Sequence, residues 1–328
     1  MTVALSLVSL VALLILIGVL GAFTAIETRR IEARYTPRGA RVEIGGGTIH
    51  VLDRPAEGEE RGAVLMLHGA SGNAADLFLA LADRLAAAGF RVLSADRPGH
   101  GWSDRFGGRD GASPSVQAAA LRRAAETLGV DQAVAVVHSL GGLAGLAMAL
   151  DHPDFVRALV LLSPVSHPWP GGVAWYYGLG AHPWLGPPFR RLVTLPAGLL
   201  RMRAAVAGVF APNPPPQNFI DATGLPLVLR PLHFRANCED VAGAEAAVAA
   251  LSPRYGAIRA PTEVVTGDSD GVVYAHIHSV GSARDIPGAR LTTLEGVGHS
   301  PHFVDPERIV AIILAAEERA RTRETEAA

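Results

Sequence analysis

The segment Val136-Val137-His138-Ser139-Leu140-Gly141-Gly142 lies between a short apolar run, residues 133–137, and a run of helical periodicity, residues 141–150. A serine on such a sharp strand-to-helix turn projects its hydroxyl away from the sheet. It also lies at a helix N-terminus, where the helix dipole favours negative charge. Ser139 is therefore a candidate nucleophile, although a serine that merely caps a helix would have the same local sequence.

Two later segments contain the groups that activate a serine. The segment VVTGDSD, residues 264–270, has two carboxylates just after a predicted strand, and GVGHSPH, residues 296–302, has a histidine in a glycine-rich loop after the next strand. A serine hydroxyl needs an adjacent general base, and an imidazole base needs a carboxylate that holds its tautomer. Because parallel strands end at one edge of a sheet, Ser139, His299 and either Asp268 or Asp270 can converge there.

The wider pattern predicts a single sheet with an insertion. Apolar runs of strand length alternate with amphipathic segments of helix length up to Leu162 and again from Thr262, which predicts parallel strands with helices on both faces. Between these parts the chain is rich in proline, glycine and aromatic residues, and its segments 189–210 and 219–234 look helical. The predicted organisation is an anchor (1–26), a stalk (27–39), a core in two parts (40–164 and 251–321), an inserted cap (165–250) and a frayed tail (322–328).

Four segments in this order resemble the α/β-hydrolase fold family over about residues 40 to 320. They are HGASG (residues 68–72), DRPGHGWS (96–103), HSLGG (138–142) and the pair Asp270/His299. The resemblance implies an α/β-hydrolase fold with a mostly parallel central sheet, helices on both faces and a helical cap. With the anchor, the predicted architecture is this fold preceded by one N-terminal transmembrane helix.

The resemblance also implies roles for individual residues. Ser139 corresponds to the nucleophile, Asp270 to the acid and His299 to the base, in the chain order expected for this sheet. The backbone N–H groups of Leu140, just after the nucleophile, and of Ala70, just after His68-Gly69, correspond to the oxyanion hole. Some family members place the acid after the strand predicted at residues 158–162, but Ser163-Pro164-Val165 offers no carboxylate there.

The turn at Ser139 departs from the family pattern G-x-S-x-G in one position. Val137 occupies the place of the first glycine. Overpacking such a tight contact costs about 1–3 kcal/mol. Ala144 and Gly145 on the following helix are small enough to leave room for the valine side chain.

The N-terminal segment is long and apolar enough to cross a membrane. Residues 2–26 contain no charged side chain, and about 20 apolar residues match a hydrocarbon layer roughly 30 Å thick. A cleaved signal peptide is the alternative, but its apolar region is usually about 7–15 residues long and follows a basic segment. The expected location is a single-pass protein of a bacterial inner membrane. The arginines after the segment slightly favour a cytoplasmic catalytic domain by the positive-inside rule: Arg29, Arg30, Arg34, Arg38 and Arg41.

The expected activity is hydrolysis of a carboxylic ester with an apolar acyl group, through an acyl-enzyme. Dehalogenases and epoxide hydrolases of this fold have an aspartate at the Ser139 position, so a serine there implies acyl transfer. The alternatives are a carbon–carbon bond hydrolase or cofactor-free haloperoxidase with the same triad, or a non-catalytic binding module.

A net charge of −2 argues against a nucleic-acid partner. No cofactor or metal is expected, and the expected partners are a small-molecule or lipid-like ester and the membrane. The aromatic residues at 169–184 either form the cap core, line an apolar pocket or face the membrane.

Overall fold

The computed structural model describes the backbone of residues 2–327 and the side chains of residues 6–108 and 110–326. Its centre is one eight-stranded sheet in the order β1-β2-β4-β3-β5-β6-β7-β8. The first two strands form an antiparallel hairpin and β2 pairs antiparallel with β4, whereas all pairs from β4 to β8 are parallel. The strands are β1 (Ala40–Glu43), β2 (Thr48–Arg54), β3 (Gly62–Leu67), β4 (Phe90–Ala95), β5 (Ala133–His138), β6 (Val156–Leu162), β7 (Thr262–Gly267) and β8 (Arg290–Leu294). The predicted fold class is confirmed.

Helices cover both faces of the sheet because both faces of its central strands are apolar. Along β3, Leu65 and Leu67 belong to the core under one helix layer, and Val64 and Met66 to the core under the other. The first layer contains α3 (Pro114–Thr127), α4 (Gly141–Asp151), α10 (Ala244–Leu251) and α11 (His278–Asp285). The second layer contains α2 (Ala75–Ala87) and α13 (Pro306–Ala327), with the short α12 (Pro301–Val304) before it.

The C-terminal tail is helical, which differs from the predicted frayed end. Helix α13 continues to Ala327, and Ala328 lies outside the described residues. Arg157 on β6 pairs with both Glu317 and Glu324 of this helix, at 2.9 and 3.0 Å. These ion pairs hold the last turns against the sheet, so the predicted tail at residues 322–328 is wrong over its described part.

Between β6 and β7 the chain forms the helical cap. Its elements are α5 (Trp175–Ala181), α6 (Gly186–Phe189), a π-helical turn (Arg190–Thr194), α7 (Leu195–Phe210), α8 (Phe219–Thr223), a 3₁₀ turn (Leu225–Leu229) and α9 (Pro231–Ala242). The single helix predicted at residues 219–234 is divided into three pieces. Gly224 has φ +63°, and the prolines at 226 and 231 cannot continue a helix, so the chain turns at each of these points.

The N-terminal helix α1 (Thr2–Arg34) is longer than the predicted anchor and includes much of the predicted stalk. Within Ser6–Arg34, the most apolar stretch of 18 residues has a mean hydropathy of 2.7, so this part of the helix is long and apolar enough to span a membrane. The continuous helical segment Gly186–Phe210 is also long and apolar enough by these measures, with a mean hydropathy of 1.4 over its most apolar 18 residues. The end of α1 lies on the cap, where Arg230 pairs with Glu32 at 3.1 Å and the Tyr35 hydroxyl donates to Asp221 at 2.8 Å.

Candidate active site

Ser139 lies on the turn between β5 and α4, in a conformation that few non-glycine residues adopt. Its φ is +53°, and its neighbours hold it there: its N–H donates to the carbonyl of Leu162, and its carbonyl accepts from Gly142 and Val165. The loop after β3 packs so closely that a Cβ on Gly69 would lie 2.9 Å from the Ser139 Cβ. Positive φ costs of order 1–3 kcal/mol in a non-glycine residue, and such strain concentrates at functional sites.

The three predicted triad residues form one continuous chain of hydrogen bonds. His299 Nε2 lies 2.9 Å from Ser139 Oγ, and His299 Nδ1 lies 2.8 Å from Asp270 Oδ2. Ser139 follows β5, Asp270 follows β7 and His299 follows β8, so the parallel strand ends bring together residues that are 131 and 29 positions apart in the sequence. The geometry allows a proton to pass from the serine to the imidazole while the carboxylate stabilises the imidazolium.

Asp270 is held as a carboxylate, which suits this arrangement. Burial alone would raise its pKa, but the hydrogen bond with His299 and the N–H groups of Val272 and Val273 outweigh burial, so the pKa of Asp270 is lowered. Those N–H groups lie 2.8 and 3.0 Å from Oδ1, and Oδ2 is left for the histidine. Asp268, the alternative acid, is exposed and accepts instead from Ser269 and the N–H of Gly296.

Two backbone N–H groups adjoin the serine. Leu140 is the residue after Ser139, and Ala70 lies in the loop that packs on the turn. Among residues 2–327, neither N–H has a hydrogen-bond acceptor. The next residue in the loop, Ser71, has φ +56° and is fixed by Asn237 of the cap, whose Oδ1 accepts from the Ser71 N–H at 2.7 Å and whose Nδ2 donates to Ser71 Oγ at 3.1 Å. This fully buried asparagine has no signal in the sequence, because only the folded cap brings α9 to the loop.

Val137 is accommodated by Gly145, about one helical turn into α4. A Cβ on Gly145 would lie 2.6 Å from Val137 Cγ1 and 2.9 Å from Cγ2. In the family pattern the small residue at this contact is a glycine at the position of Val137. In this chain the small residue is Gly145 on the helix.

We expect Gly145→Ala to lower the free energy of unfolding by about 1–3 kcal/mol, the usual cost of an added methyl group in a packed core. Val137→Ala in the same chain removes both clashing methyl groups and should recover part of the loss. Urea unfolding midpoints of the detergent-solubilised protein measure both effects. The control is Gly208→Ala, where an added methyl meets no atom within 4 Å. A Gly145→Ala protein as stable as the parent would contradict the packing described.

A group of buried polar side chains lies behind the base, and the sequence did not point to it as a unit. His138 Nε2 donates to the carbonyl of His299 at 2.8 Å, the ring of His302 packs 4.7 Å from that of His138, and His302 Nε2 lies 3.5 Å from Asp76 Oδ1. Asp76, His138 and His302 each have one potential metal-ligand atom, and these three atoms lie within 4.8 Å of one another. Within the described part of the chain, these three side chains could approach a common metal ion. The hydrogen bond from His138 fixes the backbone of the catalytic candidate His299.

The segment DRPGHGWS is a buried structural turn. Asp96 accepts from the N–H groups of Ala74 and Trp102 and from His50, and the Asp96 carboxylate occupies the space that a side chain on Gly101 would need. Arg97 is fully buried, pairs with Asp240 of α9 at 2.6 Å and donates to the carbonyls of His68 and Gly69. Asn237 and Asp240 of the same cap helix therefore both hold the loop that contains Ala70.

Two buried histidines and one half-buried histidine make the fold sensitive to acid. Burial lowers the pKa of His68, His138 and His233 to about 3, so all three are neutral in the folded protein. In the unfolded chain their pKa returns to about 6.5. Between these values the unfolded state binds more protons, so stability falls as the pH is lowered, by up to about 1.4 kcal/mol per pH unit for each histidine.

We therefore expect the urea unfolding midpoint to be lower at pH 5 than at pH 7.5. His138→Gln should reduce the difference between the two pH values, whereas the same change at the exposed His276 should not. An unfolding midpoint that is the same at both pH values would contradict the burial of neutral imidazoles.

Comparison with known proteins agrees with this architecture. Residues 62–306 match the family model described as alpha/beta hydrolase fold. A magnesium-chelatase 30 kDa subunit of Rhodobacter capsulatus is 29% identical over 290 residues, which cover 85% of this chain and 94% of that protein. A 2-hydroxy-6-oxononadienedioate/2-hydroxy-6-oxononatrienedioate hydrolase of Paraburkholderia phymatum is 36% identical over 124 residues, which cover 36% of this chain and 42% of that protein.

Among solved structures, a bacterial membrane phospholipase A superposes over nearly the whole chain. The TM-score is 0.59 at 22% identity, and the match covers 98% of each chain. At this identity the similarity establishes a shared fold.

Proposed function

Because the chain belongs to the α/β-hydrolase fold family, and is a hydrolase of that fold, we propose that it is a membrane-anchored serine hydrolase that cleaves a carboxylic ester through an acyl-enzyme. The observation that carries this proposal is the unbroken hydrogen-bond chain from Ser139 Oγ through His299 to Asp270. A serine in this position attacks a carbonyl carbon, whereas a carboxylate nucleophile would form an alkyl ester instead.

The proposed reaction has two stages. His299 Nε2 accepts the hydroxyl proton as Ser139 Oγ attacks the ester carbonyl, and Asp270 stabilises the imidazolium. The tetrahedral oxyanion accepts hydrogen bonds from the N–H groups of Leu140 and Ala70, each contributing about 100- to 1000-fold in rate. His299 then donates its proton to the departing alkoxide, which leaves as the alcohol. In the second stage water attacks the acyl-enzyme with His299 as base, releases the carboxylic acid and restores Ser139.

The membrane anchor is proposed from the length and composition of α1. Its apolar part is almost entirely exposed in the isolated chain, with 6% of the most hydrophobic window buried, which is unlike a core helix of a soluble protein. The arginines after the apolar part, from Arg29 to Arg41, favour a catalytic domain on the cytoplasmic side of a bacterial inner membrane.

A carbon–carbon bond hydrolase is the second candidate, since the same triad supports that reaction class. The similarity to the Paraburkholderia phymatum hydrolase favours it, over the 124 residues that the match covers.

Hydrolysis of p-nitrophenyl esters from acetate to palmitate tests the proposed activity and ranks the acyl chains. The full chain in detergent should release p-nitrophenol and show a burst of one equivalent where deacylation is slow. A vinylogous diketone tested in parallel distinguishes the second candidate. A folded protein that leaves every ester intact and cleaves the diketone would replace the esterase proposal with carbon–carbon hydrolysis.

A further inference from the structure

The outer side of the cap exposes a group of large apolar side chains, here called the cap face: Trp175, Trp184, Leu185, Val193, Leu199 and Leu200. Their exposed fractions reach 74% for Trp175, 82% for Trp184 and 87% for Leu200. The sequence left three positions open for these aromatic residues: the cap core, an apolar pocket or a surface that faces the membrane. The exposure of Trp175 and Trp184 excludes the cap core for these two. An apolar group of this size on the outside of a protein marks a surface for a protein or a membrane.

The composition of the cap face favours a membrane. No Asp, Glu, Lys or Arg occurs between Arg157 and Arg190, a stretch that includes the exposed residues 170–176. Tryptophan is enriched where a protein meets the boundary between lipid and water, because its ring is amphipathic. The exposed arginines that follow, Arg191, Arg201 and Arg203, suit the anionic headgroups just outside that boundary.

The cap face is continuous with the anchor helix. The π-helical turn that includes Val193 packs on α1, where Leu192 lies 3.9 Å from the Cβ position of Gly21. Gly21 precedes Glu27, the first charged residue of α1, by six positions, or about 9 Å along the helix axis. Phe189 is the residue immediately before this turn. The ring of Trp175 lies beside that of Phe189, tilted by 52°, with the ring centroids 6.3 Å apart. Part of the cap therefore lies beside the uncharged part of α1.

From this contact we infer that the cap face inserts into the boundary layer of the same leaflet that α1 enters, and that the ester substrate is an amphiphile resident in that leaflet. The anchor supplies the argument for lipid over a second copy of the chain, because a helix that crosses the bilayer holds the adjoining turn at bilayer depth. Helix α5 lies between the cap face and α9: Trp175 faces outward, whereas a Cβ on Gly180 would lie 3.1 Å from Cys238 Cβ. The neighbour of Cys238, Asn237, holds Ser71 beside Ala70. The membrane contact rests on the proposed anchor, and the substrate part rests also on the proposed hydrolytic activity.

Quenching of tryptophan fluorescence by brominated phospholipids tests the membrane contact without requiring any activity. The full chain is reconstituted into phosphatidylcholine–phosphatidylglycerol vesicles with bromine near either the headgroup or the end of the acyl chain. The protein has four tryptophans, and α1 contains none of them. We expect strong quenching by the shallow bromines and weaker quenching by the deep ones. The variant Trp175→Phe/Trp184→Phe should lose the larger part of that quenching.

A matched control places a tryptophan at the edge of the sheet, outside the cap. Leu291→Trp near the start of the edge strand β8, in the double phenylalanine variant, should restore fluorescence but not quenching, since this exposed position belongs to the core and not to the cap. Equal quenching of the parent and the double variant would overturn the membrane contact. Quenching that vanishes at a high ratio of protein to lipid, with cross-linking through the cap, would assign the cap face to a second copy and also overturn it.

The substrate part has a separate readout. Trp184→Glu should lower the hydrolysis of a long-chain ester dissolved in vesicles by a larger factor than that of p-nitrophenyl acetate in detergent. Equal factors on both substrates would overturn the assignment of a leaflet-resident substrate. A parent chain that is quenched as expected but hydrolyses neither ester would contradict the proposed function and leave the membrane contact supported.

Discussion

We expect Ser139→Ala to lower the turnover number for ester hydrolysis by about a million-fold, the loss seen when a triad serine is removed. The alanine cannot form the acyl-enzyme, so only the oxyanion donors and substrate binding remain to stabilise the transition state. The change removes one oxygen from a residue that is 8% exposed and leaves the backbone unaltered, so the protein should fold. Steady-state kinetics on the best p-nitrophenyl ester, with circular dichroism on the same preparation, measure the effect.

The control for this substitution is Ser269→Ala. Ser269 is exposed and belongs to the same loop as the proposed acid, and among the described residues its hydroxyl donates to Asp268 alone. Its loss should leave the turnover number essentially unchanged. A Ser139→Ala protein with more than about one-hundredth of the parent activity would show that another group is the nucleophile, since a triad serine contributes far more.

The second large effect is expected from Asp270→Asn, which should lower the turnover number about ten thousand-fold. The amide keeps the shape of the carboxylate but places an N–H donor or a neutral oxygen beside His299 Nδ1. The imidazole is then held in the wrong tautomer, or loses the charge that stabilises its protonated form. Because the pKa of Asp270 is lowered, this side chain remains a carboxylate well below neutral pH in the parent protein. Protonation of Asp270 should therefore not limit the activity of the parent there.

Asp268→Asn distinguishes the two carboxylates that the sequence left as candidates for the acid. Asp268 lies two residues earlier, is exposed and accepts the N–H of Gly296 at 2.8 Å, so its loss should affect stability more than turnover. A larger loss of turnover in Asp268→Asn than in Asp270→Asn would reverse the assignment.

The core of the fold could be predicted from the sequence because it depends on local patterns. Continuous apolar runs such as residues 133–137 identify buried parallel strands, and glycines mark the turns that follow them. The predicted bounds of the strands differ from the structure by one or two residues, since hydrogen bonding extends each ladder beyond its apolar part. The position of Ser139, Asp270 and His299 at strand ends follows from the same pattern.

The cap and the surroundings of the site could not be predicted in this way. The segment 219–234 has helical apolar spacing, but Gly224 and two prolines interrupt it, and periodicity alone does not weigh these interruptions. Asn237 and Asp240 acquire their importance only when α9 packs on the loop after β3. The contact of α1 with the cap depends likewise on tertiary packing, which no local pattern encodes.

Covalent modification of Ser139 is the most direct test of the proposed chemistry. The full chain is treated with a fluorophosphonate and analysed by intact-mass spectrometry, followed by peptide mapping. One equivalent of the phosphonyl group should be found on the peptide that contains Ser139, and the Ser139→Ala protein should remain unlabelled. A folded parent chain without the adduct, or an adduct on any other residue, would contradict the assignment of Ser139 as the nucleophile.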